Sequence, residues 1–459
     1  MKYYPLNEFR SCFSGHTDLR VQEKLRCRVR LNDGVLVQDI RDSSCGVSAR
    51  VYRNRLYGFS SSADISEASV KRVIAEATKN AETLAKYTKD APIDLPYIGR
   101  GRFVNGHPVR EIDRQYLLAL ARDVDEYIVR HCPGLVSRTV LATTDSIEKD
   151  QITDDAFDAN TLMIRTHVIV YLVARGSDGN VVALDDYYGG RGYADEIFKT
   201  RDGLYAWIDQ IYSDVMRKRD GVYTEAGVKD LILCPDLAGM LAHEAVGHTV
   251  EADLVRGGGV AKFCMNEQVA SELVTLTDFA HTAFGKECDI PIYVDDEGTP
   301  GRDVTVIDHG ILRGYMHDRL SAAEFGAAPT GNARAYDYID EPLIRMRNTC
   351  IMPGTSTLDD MIAAVDDGYL LAYPANGQAD ATGEFMFGAG FGMEIKKGKL
   401  ARPLRGATLS GYAFDLLKSV DMLSSDLVWR SGGMCGKKTS IQTAMGGPAI
   451  KCRALIGGR

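Results

Sequence analysis

Two histidines and a glutamate lie close together near the middle of the chain, in the segment His243-Glu244-Ala245-Val246-Gly247-His248. Imidazole nitrogens bind divalent metals, and a neighbouring carboxylate can act as a general base. The common zinc-binding helix has the pattern H-E-x-x-H, with both histidines on one face. Here the separation is one residue longer, which in a regular α-helix leaves the rings about 140° apart. A π-bulge would realign them, and Gly247 tolerates such a distortion, so the segment predicts a metal site on a kinked helix.

The two histidines alone would leave a tetrahedral ion incomplete, because catalytic zinc sites have three protein ligands and an open position. Cys435 is one candidate for the third ligand. The glycines beside it allow close backbone approach, and Lys437 and Lys438 would favour the thiolate that binds metals. A free cysteine is more often an inert small hydrophobe, so spacing alone leaves this ligand open. The other histidines have no distinctive context and are expected to serve surface or packing roles: His16, His107, His131, His167, His281, His309 and His317.

Composition limits the function classes that fit this chain. Its 459 residues are too many for one ordinary core and predict two or three domains. The hydrophobic content of 45% and charged content of 25% are typical of a soluble globular protein. A net charge of −9 argues against a nucleic-acid-binding protein. No apolar signal segment, membrane-length apolar stretch or disulfide framework is evident, so we expect a cytoplasmic protein with reduced cysteines and no membrane partner.

The first half of the chain has the pattern of an α+β region with antiparallel hairpins. Residues 22–60 predict a β-meander that turns at Asn32-Asp33-Gly34. Apolar spacing predicts helices at 65–87, 111–131 and 203–219, and a long strand at 161–175. The stretch 90–108 is rich in Gly and Pro and predicts a linker. We therefore expect an N-terminal α+β subdomain over residues 1–100 and a central α+β subdomain over 101–222.

The second half, residues 223–459, predicts a mostly antiparallel β domain that carries the metal-binding helix. A short strand at 228–234 leads into Pro235-Asp236, where Pro suits the first turn of the helix and Asp its positive end. Ser356 and Asp359 match a capping box for a helix at 357–367. The predicted strands are 269–276, 302–307, 311–317, 384–395 and 399–410. The chain as a whole is thus assigned to the α+β class.

The segment HEAVGHTVEAD resembles the signature of the TldD/PmbA family of metallopeptidases. NGQADATGEFMF (Asn376 to Phe387) is similar to another segment of that family, and LNDG and YYGGRGY extend the resemblance loosely into the first half. Further segments occur in the family order: ASELVTLTD (Ala270 to Asp278), VDDEGTP (Val294 to Pro300), DRLSA (Asp318 to Ala322), PTGNARA (Pro329 to Ala335) and GMCGK (Gly433 to Lys437). Together they cover the whole second half and are far more specific than H-E-x-x-x-H alone.

The resemblance implies a metal-dependent peptidase in which His243, His248 and Cys435 are the ligands and Glu244 is the base that activates water. One branch of the family, TldD-like, keeps the metal motif, and the other, PmbA- or TldE-like, has lost it. This chain resembles the catalytic branch. The implied substrates are unfolded or short peptides. The implied partner is a metal-free PmbA/TldE-like homologue, or a second copy of the chain in a dimer.

The ligand chemistry favours Zn2+ as the cofactor, with Fe2+ as the alternative, because imidazole and thiolate suit both ions. Glu251 and Asp253 follow the motif and are either second partners of a ligand imidazole or part of a solvated helix end. Two other functions remain open. One is a chaperone-like or regulatory interaction subunit whose metal is structural, which a site closed by four protein ligands would favour. The other is a metal-dependent hydrolase of small amides, which narrow, shallow pockets would favour.

Overall fold

The computed structural model describes residues 4–380 and 382–457, except for the side chain of Asn376. Ala381, within the segment that resembles the family, lies outside the described residues. So do the ends of the first and last predicted domains, residues 1–3 and 458–459. The described chain is 24% helix and 43% strand, with mostly antiparallel sheets, which confirms the α+β class.

The first half is built on one sheet, in which the described strands follow the order β3-β2-β1-β5-β6-β4 and β7 pairs with β6. The predicted turn joins β1 to β2, and Asp33 and Gly34 both have positive φ, of 47° and 83°, as a type I′ turn requires. The strands are β1 (Thr17–Asn32), β2 (Val35–Arg53), β3 (Leu56–Ser62), β4 (Gly101–Val104), β5 (Leu135–Thr153), β6 (Phe157–Arg175) and β7 (Val181–Arg191).

Helices cover this sheet through the apolar stripes that the sequence predicted. Buried Val73 and Ala77 of the first helix pack with strand residues such as Val47. Leu120 and Ile211, from two later helices, share a second core with Val170. The helices of this half are α1 (Glu67–Ala85), α2 (Arg114–His131), α3 (Ala194–Ile197) and α4 (Asp202–Arg219), and a 3-10 helix spans Leu6–Cys12.

The second half combines a closed barrel with a second sheet. Strands β17, β8, β26, β20 and β18 pair in that order, and β18 pairs back with β17 to close the ring. The other sheet has the order β13-β12-β9-β16-β25-β22 among the described strands. The strands are β8 (Gly227–Leu233), β9 (Leu276–Phe279), β10 (Thr282–Ala283), β11 (Lys286–Glu287), β12 (Val304–Asp308), β13 (Ile311–Leu312), β14 (Ala333–Arg334), β15 (Leu343–Ile344), β16 (Asn348–Ile351), β17 (Asp367–Ala379), β18 (Glu384–Lys396), β19 (Lys399–Leu404), β20 (Ala407–Tyr412), β21 (Met422–Leu423), β22 (Val428–Arg430), β23 (Met434–Lys437), β24 (Thr439–Gln442), β25 (Ala444–Gly447) and β26 (Ile450–Gly457).

The largest hydrophobic core among the described residues lies between the barrel and the second sheet. Leu237 and Leu241, of the helix that begins at Pro235, are buried in it together with Phe385 and Phe387 of β18. The helical segments of this half are α5 (Pro235–Leu241), a π-helix (Ala242–Gly247), 3-10 helices (His248–Val250 and Val260–Phe263), α6 (Ala252–Arg256), α7 (Arg319–Phe325), α8 (Leu358–Ala363) and α9 (Ala413–Lys418).

Several local predictions for the second half are wrong. The strands predicted at 269–276 and 311–317 are mostly loop, because only β9 and the two-residue β13 form there. The strand predicted at 399–410 is two strands, β19 and β20, that pair with different parts of β18. The capping box belongs to Thr357 and Asp360, one residue later than predicted. In the first half, the predicted linker contains β4, which pairs in parallel with β6. Such short elements depend on tertiary pairing more than on local pattern.

The two halves meet through three consecutive acidic residues of the VDDEGTP segment. The Lys149 ammonium, from β5, lies 2.7 Å from a carboxylate oxygen of Asp296. The Arg50 guanidinium, from β2, lies 2.6 Å from Glu297, and the Gln151 amide donates to the backbone carbonyl of Asp295. The first sheet also takes strands from both sides of residue 100. The domain boundaries at 100 and 222 stay a prediction.

Candidate metal centre

The helix that carries the paired histidines changes its winding at the predicted place. Helix α5 begins with Pro235 at its first position and continues directly into the π-helix Ala242–Gly247, which the 3-10 turn His248–Val250 follows. The wider π turn absorbs the additional residue between the histidines. Their ring centroids are therefore only 5.4 Å apart, with the ring planes 80° from parallel. The prediction of a kinked helix that brings both rings together is confirmed.

Cys435 reaches the same place from a hairpin formed by β23 and β24. The buried Arg345 guanidinium holds this hairpin by donating to the backbone carbonyls of Cys435, at 2.6 Å, and Thr439, at 2.9 Å. The first half of the chain holds the segment that leads into this hairpin, because Arg165 of β6 donates a hydrogen bond to the backbone carbonyl of Ser431. Sequence reasoning missed Arg345, since nothing in its local sequence context indicates the hairpin 90 residues away.

The three predicted ligands converge to a geometry that suits one metal ion. One ligand atom from each of His243, His248 and Cys435 lies within 4.8 Å of the others. The Nε2 atom of His248 is 3.4 Å from Sγ of Cys435. Tetrahedral zinc, with bonds of about 2.0 Å to nitrogen and 2.3 Å to sulfur, would hold two such atoms about 3.5 Å apart. The Nδ1 atom of His243 is buried without a hydrogen-bond partner among the described residues, so this ring has an unused polar atom at the cluster. The donor set therefore fits a zinc-like ion.

The electrostatics of the cluster favour the thiolate. Burial raises the pKa of Cys435, but the neighbouring His243 and His248 imidazoles outweigh burial and bring this pKa down to about 4. Burial lowers the pKa of His248, whereas its hydrogen bonds to Cys435 and Glu251 raise it, and the result is about 10. The cluster thus attracts positive charge: without an ion it holds a proton, and a divalent cation could replace that proton.

Glu251 supports His248 from the side away from Cys435. A Glu251 carboxylate oxygen lies 3.1 Å from Nδ1 of His248, so it can accept the Nδ1 proton and leave Nε2 available as a ligand. Among the described residues, Asp253 forms no hydrogen bond or ion pair with His243 or His248. Its carboxylate instead accepts from the ammonium of Lys437, at 2.8 Å. The sequence left two interpretations of these acids open, and the structure makes Glu251 the imidazole partner.

Glu244 lies beside the clustered side chains, on the same helix. Its carboxylate is 3.7 Å from Nε2 of His248, and its side chain is 21% exposed, the largest exposure in the cluster. A Cβ atom on Gly377 of β17 would lie 3.5 Å from Cγ of Glu244. Gly377 also lines a groove of about 510 Å³ between β17, β18 and β20. Glu244 can therefore contact a water near the cluster, and it packs near Gly377, one of the residues that line the groove.

The remaining histidines have other roles. His167 and His317 are buried, where His167 approaches Ser431 and His317 approaches Ser321. His309 is exposed in the turn between β12 and β13. Within residues 4–380 and 382–457, His243, His248 and Cys435 are the only group of three or more His, Cys, Asp or Glu side chains placed to hold a metal ion. The same residues contain no helix with the length and apolar composition needed to span a membrane.

Comparison with protein families identifies two matching regions. A model described as the PmbA/TldA metallopeptidase C-terminal domain matches residues 226–456. A second model, described as domain 1 of the PmbA/TldA metallopeptidases, matches residues 17–81. The larger match alone covers half of the chain and includes all three clustered residues.

Curated relatives are similar over nearly the whole chain. A zinc metalloprotease TldD homolog from Saccharolobus solfataricus is 28% identical, over 94% of this chain and 95% of the relative. A metalloprotease TldD homolog from Haemophilus influenzae is 29% identical, over 93% of this chain and 90% of the relative.

Solved structures share the fold at low sequence identity. TldE from Thermococcus kodakarensis has a TM-score of 0.74 and 18% identity, and the match covers 97% of this chain and 98% of that one. A Thermotoga maritima protein described as a proposed modulator of a DNA gyrase has a TM-score of 0.76 and 18% identity, with 96% of each chain covered. At this level of identity the likeness concerns the fold.

Proposed function

This chain belongs to the PmbA/TldA metallopeptidase family, and we propose that it is a metal-dependent peptidase that hydrolyses unfolded or short peptides. The observation that carries this proposal is the meeting of His243, His248 and Cys435 beside the carboxylate of Glu244. Two imidazoles and one thiolate form a ligand set that leaves one tetrahedral position for water or substrate.

His243, His248 and Cys435 would hold the ion, with zinc as the first choice and iron(II) as the alternative. The name of the relative from Saccharolobus solfataricus supports zinc. When bound, the ion would polarise the scissile carbonyl and make water more acidic. Cys435 contributes a negative charge, so the ligand set neutralises half of the charge of a divalent ion and makes it a milder Lewis acid than three histidines would.

Glu244 would act as the general base. Its position next to His248, together with its partial exposure, allows it to take a proton from the attacking water and deliver it to the leaving amine. It follows His243 directly in sequence, and so the same kinked helix that positions the ligands also positions the base.

We infer that the groove lined by Gly377, a residue that packs near Glu244, binds the peptide substrate. Its walls are mainly backbone and small side chains, which suit an extended chain bound through main-chain hydrogen bonds. Such a groove selects for unfolded segments more than for particular side chains. The lining residues are Lys218, Ala375, Gly377, Gln378, Met386, Phe387, Gly388, Ala389, Gly390, Ala407 and Thr408.

We also propose that the chain is of the TldD-like, catalytic branch, because it keeps both histidines, Glu244 and Cys435. Its partner would be a metal-free PmbA/TldE-like homologue or a second copy of itself. Residence in the cytoplasm and the absence of nucleic-acid and membrane partners stay predictions from composition.

The site bears differently on the two alternative functions. A structural metal in an interaction subunit would favour four protein ligands, whereas the cluster contains three, with the partly exposed carboxylate of Glu244 beside them. A groove of about 510 Å³ lies within the size range of small-ligand sites, so comparing the cleavage of peptides with that of small amides decides against or for the small-amide hydrolase.

A cleavage assay tests the proposal. The purified chain, alone and mixed with a metal-free homologue, is incubated with a labelled polypeptide in unfolded form and, as the control, in folded form. We expect cleavage of the unfolded form that stops with a chelator and resumes with added zinc. Cleavage that resists the chelator would contradict the proposal. The proposal would also be contradicted if the zinc-loaded chain cleaved nothing, both alone and together with the metal-free homologue.

A further inference from the structure

We propose that Lys437 is a positioning residue that ties the strand of Cys435 to the carboxylate orienting His248. This inference rests on the proposed function, because it concerns the same metal ligands. The Lys437 ammonium lies 3.2 Å from a carboxylate oxygen of Glu251 and 2.8 Å from Asp253. It also donates to the backbone carbonyl of Ile344, at 2.8 Å. Its three donors therefore have three different acceptors.

Burial distinguishes this lysine from an ordinary surface lysine. The side chain of Lys437 is only 10% exposed, and that of Glu251 is fully buried. A buried carboxylate needs a compensating partner, and a neutral His248 ring supplies only one hydrogen bond. Lys437 supplies the positive charge. With Lys437 in contact, Glu251 stays in place and accepts the Nδ1 proton of His248, which directs Nε2 toward Cys435.

The position of Lys437 on β23 links the two sides of the site. Residues two apart on a strand point to the same face, so Lys437 and Cys435 leave the hairpin in the same direction. The contact of Lys437 with Glu251 and Asp253 thereby sets how closely β23 approaches the kinked helix. Loss of the ammonium would free β23 to move and would leave Glu251 without its countercharge. The side chains of Cys435 and His248 would then both be less well oriented.

The test uses metal binding by the full-length chain instead of activity. Lys437→Met removes the charge but keeps most of the aliphatic stem, and Lys437→Arg restores a cation. Lys438→Met is the matched control, because Lys438 is the exposed neighbour on the same hairpin. Zinc affinity is measured by competition with a chromophoric chelator. The thiolate-to-metal absorption of the cobalt-substituted protein reports directly on the Cys435 bond.

We expect Lys437→Met to weaken zinc binding by about 10- to 100-fold and to diminish the thiolate-to-cobalt absorption. Lys437→Arg should recover most of the affinity, and Lys438→Met should match the unmodified chain. If Lys437→Met cannot be obtained folded, Asp253→Asn replaces it as the test. This substitution weakens the ion pair with the Lys437 ammonium at a partly exposed position. We expect it to lower the zinc affinity less than Lys437→Met would.

The outcomes separate this inference from the proposed function. Unchanged zinc affinity and cobalt absorption in Lys437→Met, or in Asp253→Asn if that variant has to decide, would overturn the role of Lys437 while leaving the peptidase proposal intact. If the unmodified chain binds neither zinc nor cobalt, the ligand assignment itself fails, and the role of Lys437 fails with it. Equal losses in Lys437→Met and Lys438→Met would also overturn the inference, since they would indicate a general effect on the hairpin.

Discussion

Gly247 packs directly against Met346: a Cβ atom on Gly247 would lie 1.9 Å from the Met346 sulfur. Gly247 has φ −51° and ψ −48°, an ordinary helical conformation. The glycine is therefore needed because it allows close packing, and not because the π turn requires an unusual backbone. Met346 is fully buried and has little room to move away. The helix thus packs closely against Met346 at Gly247, which lies between Glu244 and His248 in sequence.

Gly247→Ala should destabilise the protein by about 1–3 kcal/mol, because overpacking a rigid core forces neighbours apart. It should also weaken metal binding, since His248 is the next residue. Urea unfolding and zinc competition measure the two effects. Gly239→Ala, in the same helix but with its nearest neighbour at 3.3 Å, is the control and should cost less. If Met346→Ala fails to restore zinc binding in the Gly247→Ala background, the clash is not the cause.

Glu244→Gln should abolish cleavage while leaving the metal in place. The amide has nearly the same shape but cannot accept a proton, and the loss of a general base typically costs about 100- to 10,000-fold in rate. Initial cleavage rates and zinc content by elemental analysis are the measurements. Cleavage at the normal rate would remove Glu244 from the role of base, and loss of zinc would instead make it a ligand.

Cys435→Ala should reduce the zinc content, because two histidines alone hold a divalent ion poorly. The matched control is Cys452→Ala, which removes another buried cysteine from the same core without touching the cluster. We expect the control to keep its zinc and lose only some stability. Equal zinc content in the two variants would exclude Cys435 from the ligand set.

The metal-free protein should retain one thiolate at mildly acidic pH. The pKa of Cys435 is lowered to about 4, whereas an ordinary thiol is protonated at about pH 6. Because the folded pKa is depressed, the stabilisation from this thiolate is complete above the unfolded pKa and is lost as pH falls through the folded value. The measurement is the ultraviolet absorbance of the thiolate at about pH 6, compared between the metal-free chain and its Cys435→Ala variant. Identical spectra would contradict the lowered pKa.

Local pattern was sufficient for much of the fold. The turn at Asp33 and Gly34, the helices α1, α2 and α4, the meander of β1 to β3 and the long strand β6 lie close to where residue spacing predicts them. In each case the signal is a run of about ten or more residues or a turn with strict φ requirements. The short strands of the second half were predicted poorly. A strand such as β13, with two residues, carries too little pattern to be recognised by itself.

The sequence by itself determined the histidine pair, the adjacent glutamate and the need for a wider helical turn, because these depend on residues within one turn of each other. Only the tertiary structure decided that Cys435 lies beside His248, 187 residues away, on a hairpin that Arg345 holds. The ion pair of Lys437 with Glu251 and the close packing of Gly247 against Met346 likewise appear only in the tertiary structure. The physical reason is that local spacing specifies dihedral angles and exposed faces, whereas contacts between distant segments form only when the barrel, the second sheet and the first half pack together.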